Sequence, residues 1–107
     1  MTVYMVKRGP EPWAGVTIIT DNKDFADGYV EGLNHTTKRS WHRVEPVEPL
    51  PAGTPVRYWP GARHGEGNLS TIQEGTTLRL IGGTPCQWVT GEGNVSMTHI
   101  EPFKDAA

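Results

Sequence analysis

Alternating apolar and polar residues predict three strands and a helix in the first half of the chain. The strands are expected over residues 2–6, 13–19 and 40–45, with the first two antiparallel to each other. Between the second and third strands, apolar residues recur with the spacing of one helix face: Phe25, Ala26, Tyr29, Val30 and Leu33. This order of elements predicts a strand-strand-helix-strand (ββαβ) unit over residues 1–48.

The ends of the predicted helix carry residues that are typical of caps. Thr20 or Asp21 is expected to cap its start, and Asn34 its end. Gly28 and Gly32 lower the helix propensity, but their spacing of four residues would let the helix lie close against a sheet or a partner. We expect them to pack closely within this protein.

The second half alternates short apolar segments with glycine and proline turns. It contains five strand candidates, at residues 55–59, 68–72, 76–81, 85–90 and 94–99. Five strands in about fifty residues suit a small, partly open barrel better than a sandwich, which needs about seven. The sequence therefore predicts an α+β protein.

A proline-rich segment separates the two halves. Three prolines between positions 46 and 51 predict an extended, stiff connection. The expected organisation is a ββαβ unit over 1–48, a linker over 49–53, a barrel over 54–103 and a tail over 104–107.

The last predicted hairpin can be assigned to faces by counting outward from its turn at 91–93. Val89, Val95 and Met97 share one face, which should be the core. Cys86, Trp88, Ser96 and Thr98 share the other. Trp88 is therefore expected on the outer face, where an exposed tryptophan indicates a contact surface.

Three segments of the second half carry a resemblance: Gly-Thr-Pro-Val-Arg-Tyr-Trp-Pro-Gly-Ala-Arg at 53–63, Leu-Ile-Gly-Gly-Thr-Pro at 80–85 and Val-Ser-Met-Thr-His-Ile-Glu-Pro at 95–102. They resemble an SH3-like barrel module of actinobacterial and actinobacteriophage proteins, spanning residues 53–103. In the first half, residues 3–6, 18–21 and 44–48 resemble a small phage-encoded ββαβ module. The resemblance implies a fold and a phage or actinobacterial source, and it brings no catalytic residues.

The resemblance also implies a binding face, because SH3-like barrels commonly bind peptides or nucleic acid through an aromatic-lined surface. By that analogy the protein-binding residues would be Tyr58, Trp59, Trp88 and His99. An extended, proline-containing peptide from a host or phage protein would suit such a face.

Charge and composition narrow the alternatives. The net charge is −2, and neither half has the basic excess of most nucleic-acid-binding proteins. Residues 38–43 are an exception, because they hold three cations around a tryptophan. The candidate nucleic-acid contacts in this segment are Lys38, Arg39, Trp41 and Arg43. A solvated loop that leads into a strand is the other interpretation of the same segment.

The sequence has no constellation of residues that indicates an enzyme, a cofactor or a metal. Its histidines lack metal-ligand spacing, and its one cysteine, Cys86, excludes an internal disulfide and suits a reducing cytosol. We see neither a secretory signal nor an apolar run long enough to span a membrane, so a cytoplasmic location is expected, in the host if the protein is phage-encoded.

These observations favour a non-enzymatic protein-interaction module, encoded by a phage as an accessory or host-interacting protein. A nucleic-acid-binding protein that uses residues 38–43 and a minor virion component are the alternatives. The oligomeric state is left open.

Overall fold

The computed structural model describes residues 2–103, and the tail expected over 104–107 lies outside them. The described residues form an α+β fold with one α-helix and three small antiparallel sheets, so the predicted class is confirmed. The chain divides into two compact units. The first comprises the chain up to Pro49 together with Leu80–Thr84, and the second comprises Leu50–Arg79 together with the chain from Pro85 onward.

The first unit contains a three-stranded sheet and the helix. Its elements are β1 (Val3–Lys7), β2 (Val16–Thr20), α1 (Lys23–Thr37) and β3 (Arg43–Val47). The strands lie in the order β2-β1-β3 with both pairs antiparallel, as expected for the first two strands. Each strand begins one to three residues later than the alternation of apolar and polar residues predicts. The helix α1 packs against this sheet.

The helix begins at a different residue from the one expected. Asn22 is the N-cap, and its side chain accepts a hydrogen bond from the Phe25 backbone N–H at 3.0 Å. The Thr20 hydroxyl instead accepts from the Asn22 backbone N–H at 3.1 Å. The prediction of Thr20 or Asp21 is therefore wrong, because Asn22 has the same capping chemistry one position nearer the helix.

The helix also runs past its expected end. It passes through Asn34 to Thr37 and stops at Lys38, which has a left-handed backbone with φ 55°. The Asn34 side chain donates to the His42 carbonyl at 3.2 Å and accepts from the His42 backbone N–H at 3.1 Å. Asn34 is thus no cap; it ties the helix to the segment that enters β3.

The two helix glycines do not pack against this unit. A Cβ added at Gly28 or Gly32 would meet no atom within 4 Å, so the expectation of close packing is wrong. Both line an open, shallow groove with Tyr29, Leu33, Thr36 and Thr37. On the packed side Ala26 is fully buried, while Phe25, predicted for the same face, is exposed.

The second unit contains strands of two sheets. Its elements are β4 (Pro55–Tyr58), β5 (Asn68–Thr71), most of β7 (Thr84–Val89), β8 (Gly93–Ser96) and β9 (Ile100–Pro102). The short strand β6 (Arg79–Ile81) begins in this unit at Arg79, whereas Leu80, Ile81 and Thr84 belong to the first unit. The strand orders are β5-β4-β9 and β6-β7-β8. The last predicted strand, 94–99, is correct only in its first half. A 3₁₀ turn at Met97–His99 redirects the chain, so that β9 pairs with β4.

The face assignment of the last hairpin is largely confirmed. Val89, Val95 and Met97 are buried, together with Val56 and Ile72. Trp88 is exposed, as expected for the opposite face. Cys86 was expected on that outer face but is also buried, so parity alone does not determine exposure at this strand.

A buried glutamine holds the start of the second unit. Gln87 is fully buried, its Nε2 donates to the Leu50 carbonyl at 2.8 Å and its Oε1 accepts from the Leu50 backbone N–H at 3.1 Å. The side chain thereby forms the same pair of hydrogen bonds as a neighbouring strand would.

No helix among residues 2–103 is long and apolar enough to cross a membrane.

Candidate functional site

Two members of the expected aromatic face lie in the core. Tyr58 is 8% exposed and Trp59 is 7% exposed. The Trp59 indole Nε1 donates to the Gly65 carbonyl at 3.2 Å, and the Arg63 guanidinium lies 4.3 Å from the ring centroid. The turn that follows β4 therefore covers Trp59, and its ring is not open to a ligand from solvent.

The turn that covers Trp59 is held in place by contacts of Arg63. Arg63 donates from Nη1 to the Thr98 carbonyl at 3.0 Å and forms an ion pair with Glu101. His99, the third expected member, is half-buried, and its carbonyl accepts from the Trp59 backbone N–H at 3.0 Å. Trp59 and His99 are thus brought together by the backbone, in a closed arrangement.

Trp88 is the expected member that is open to solvent. It is 41% exposed and lines a cavity of about 190 Å³. The other lining residues are Gly75, Thr76, Thr77, Arg79 and Asn94. None of the other three expected aromatic-face residues lines this cavity, so we restrict the candidate site to Trp88 and its neighbours.

Local pairing explains how the wall of this cavity forms. Ile72 makes an isolated β-bridge with Val89, and the Gln73 backbone N–H donates to the Trp88 carbonyl at 3.1 Å. The Thr76 hydroxyl then closes a turn on the Gln73 carbonyl at 2.8 Å. These contacts hold the segment that contains Thr76 beside the indole of Trp88.

The remaining wall comes from strands. Asn94 lies directly opposite Trp88 in the β7–β8 register, and Arg79 begins β6. Guanidinium, amide and hydroxyl groups supply hydrogen-bond donors, and none of the lining residues is acidic. The cavity therefore offers an aromatic surface surrounded by donors, which suits a ligand with exposed acceptor oxygens.

Sequence reasoning identified Trp88 but missed the residues around it. Asn94 could have been found, because the turn at 91–93 places it opposite Trp88. Thr76, Thr77 and Arg79 could not, because their position depends on the bridge between Ile72 and Val89.

The basic segment of the first unit forms a second surface. Trp41 is 49% exposed, and the guanidinium of Arg39 lies 5.5 Å from its ring centroid. Arg8, which the sequence analysis did not include, lies closer, at 4.8 Å. Lys38 and Arg43 are exposed, and Arg43 lies 3.4 Å from the carboxylate of Glu45.

Two kinds of chemical group were considered beside these surfaces, the single thiol and metal-ligand clusters. Burial raises the pKa of the Cys86 thiol, which lowers its thiolate fraction and disfavours a nucleophilic role. Within residues 2–103, no three His, Cys, Asp or Glu side chains are grouped so that they could hold a metal ion.

Comparison with protein-family models, curated proteins and solved structures finds no match to this chain. The residues of the chain itself therefore carry the functional proposal.

Proposed function

We propose that this protein is a small interaction module without enzymatic activity, and that its second unit binds an extended peptide segment of a partner protein at Trp88. The observation that carries the proposal is an exposed tryptophan on the wall of a donor-lined cavity. Tryptophan and arginine are enriched among the residues that dominate protein–protein binding energies. Both are present here, as Trp88 and Arg79.

The size of the cavity favours a peptide over a small-molecule ligand. Its volume of about 190 Å³ lies below the roughly 300–1,000 Å³ of sites that enclose small molecules and cofactors. That space accommodates part of a chain, such as one side chain with its adjacent backbone. A peptide could continue along the surface on either side of the cavity.

The chemistry of the cavity favours an extended, proline-containing segment. A proline ring packs well on an aromatic surface, and a polyproline II backbone makes no internal hydrogen bonds. Its carbonyl oxygens therefore remain available to donors. Arg79 and Asn94 provide such donors beside the Trp88 indole.

The proposal includes the finer fold and the source. We propose that residues 54–103 form an SH3-like barrel of the kind found in actinobacterial and actinobacteriophage proteins, and that residues 1–48 form a ββαβ unit. The bridge between Ile72 and Val89 supports the barrel, as does the hydrogen bond from the Thr90 backbone N–H to the Thr71 carbonyl at 2.9 Å. Both link the end of β5 to the end of β7. The partner would then be a host or phage protein.

Replacing Trp88 with alanine is expected to weaken peptide binding at least about thirtyfold, the effect of losing a contact worth about 2 kcal/mol. Peptides would be selected from a displayed random library on the wild-type protein, and their affinities measured by calorimetry. The thermal midpoint should change little, because Trp88 is exposed.

Trp41→Ala is the matched control, since Trp41 is a similarly exposed tryptophan in the first unit. It should retain the selected peptides. The proposal fails if the library yields no binding peptide, if Trp88→Ala binds as tightly as the wild type, or if Trp41→Ala loses as much affinity as Trp88→Ala.

A further inference from the structure

Charge is segregated along the helix of the first unit. Its first two-thirds carry Asp24, Asp27 and Glu31 and a single cation, Lys23, which is paired with Asp27, whereas residues 38–43 carry three cations and no carboxylate. We call this second region the basic end and define it by five residues: Arg8, Lys38, Arg39, Trp41 and Arg43. Of the six Lys and Arg residues before position 50, four belong to it. A net charge near zero thus conceals a local cationic surface.

The tryptophan at the basic end is held differently from the buried Trp59. Trp59 lies beneath the guanidinium of Arg63, and that guanidinium is ion-paired with Glu101. At the basic end two guanidiniums, of Arg8 and Arg39, lie within 5.5 Å of the Trp41 ring centroid, and the indole remains 49% exposed.

The two guanidiniums at Trp41 also differ from Arg63 in their pairing. Across residues 2–103 no carboxylate forms a salt bridge with Arg8 or Arg39. These planar cations lie over a ring that is still half exposed, and they remain available for an anionic ligand that also stacks.

Lys38 adds a cation at a position where its side chain is unfavourable. Its backbone N–H bonds to the His35 carbonyl at 3.3 Å, and the Arg39 backbone N–H bonds to the Asn34 carbonyl at 3.2 Å. This is the Schellman pattern that ends many helices, and its left-handed residue is usually glycine. Lys38 is the one non-glycine residue with positive φ within the described part of the chain. Compared with glycine, lysine at this position lowers the stability of the fold, and it places a positive charge at the basic end.

We infer that the basic end binds single-stranded nucleic acid. Arg8, Lys38 and Arg39 would contact successive phosphates, and bases would stack on Trp41 and on the flanking guanidinium planes. An unpaired strand fits this surface because its bases are free to stack, whereas a duplex presents mainly phosphates. This site is separate from the peptide site proposed at Trp88 and does not depend on it.

The test is fluorescence anisotropy with labelled oligo(dT) and oligo(U), at about 50 and about 200 mM salt. Neutralising three or four phosphates of a single strand gives a slope of roughly −2 to −3 in log affinity against log salt concentration. The affinity should therefore fall roughly 20- to 50-fold between the two conditions. Tighter binding of oligo(dT) or of oligo(U) identifies DNA or RNA as the ligand, and either result supports the inference.

Two variants probe individual contacts. Arg8→Gln should reduce the salt slope by roughly 0.7, the share of one phosphate contact. Lys38→Gly should weaken binding severalfold while its thermal midpoint equals or exceeds that of the wild type, because glycine suits the left-handed backbone. A loss of binding in this variant could not be attributed to unfolding.

Matched controls carry the same changes elsewhere. Trp41→Ala should weaken binding about tenfold, whereas Trp88→Ala should leave it unchanged. Lys23→Gln removes an exposed cation at the start of the helix and should also have no effect. The inference is overturned if neither oligonucleotide binds at low salt, if the affinity is independent of salt, if duplex DNA binds as tightly as the tighter-binding oligonucleotide, or if Lys38→Gly binds like the wild type.

Discussion

Replacing Gly67 with alanine is expected to destabilise the second unit by at least about 3 kcal/mol. Gly67 has φ +69°, and a Cβ built there would lie 2.7 Å from Cε2 of Trp59 and 2.8 Å from the Tyr58 carbonyl oxygen. The oxygen belongs to the backbone of β4 and the ring is buried, so neither can yield cheaply. The substitution would lift the turn that covers Trp59 or displace the indole.

The matched control is Gly65→Ala, two residues earlier in the same turn. Gly65 has nearly the same backbone conformation, with φ +68°, but an added Cβ would meet no atom within 4 Å. It should cost only about 1–2 kcal/mol, the strain of a left-handed alanine. The free energy of unfolding in urea measures both variants. Equal losses would mean that Trp59 is not packed against Gly67 as described.

Replacing Gln87 with leucine is expected to cost about 2–4 kcal/mol, although leucine has a similar size and is apolar. The substitution removes both side-chain hydrogen bonds to Leu50 and leaves its N–H and carbonyl without those partners. Each unsatisfied buried group costs about 1–3 kcal/mol, and partial access of water to the half-buried Leu50 lowers the total.

Gln73→Leu controls for the change of residue type, because Gln73 is exposed. It should alter the free energy of unfolding by no more than about 0.5 kcal/mol. Hydrogen exchange of the Leu50 amide should also accelerate in Gln87→Leu and not in Gln73→Leu. A Gln87→Leu variant as stable as the wild type would show that the pairing with Leu50 does not support this unit.

The strands were largely predictable because alternation depends on neighbouring residues. The helix caps were not. Asn34 has a good capping side chain, yet it bonds to His42, a partner that the local pattern does not reveal. Lys38 ends the helix although glycine would be favoured at its backbone conformation. At the C-terminal end of the helix the preference for a residue type was outweighed by contacts specific to this chain, whereas at the N-terminal end Asn22 follows the preference one position later than expected.

The candidate sites also show that features set by neighbouring residues were predictable and that features set by distant contacts were not. The exposure of Trp88 followed from its parity relative to the turn at 91–93, a local relationship. The burial of Trp59 could not be predicted in this way. Tyr58 precedes it and is also buried, because the turn after β4 folds over the Trp59 ring and breaks the alternation of buried and exposed residues. Arg8 was missed because it approaches Trp41 only after the sheet has formed.

The most direct test of the peptide-binding proposal is an NMR titration that follows the four tryptophan indole N–H signals with a selected peptide. Trp13, Trp41, Trp59 and Trp88 each contribute one such signal, so a single spectrum reports on both units. The proposal predicts that the Trp88 signal shifts in a saturable manner while those of Trp41 and Trp59 stay in place. A saturable shift at Trp41 or Trp59 with Trp88 unmoved would contradict it.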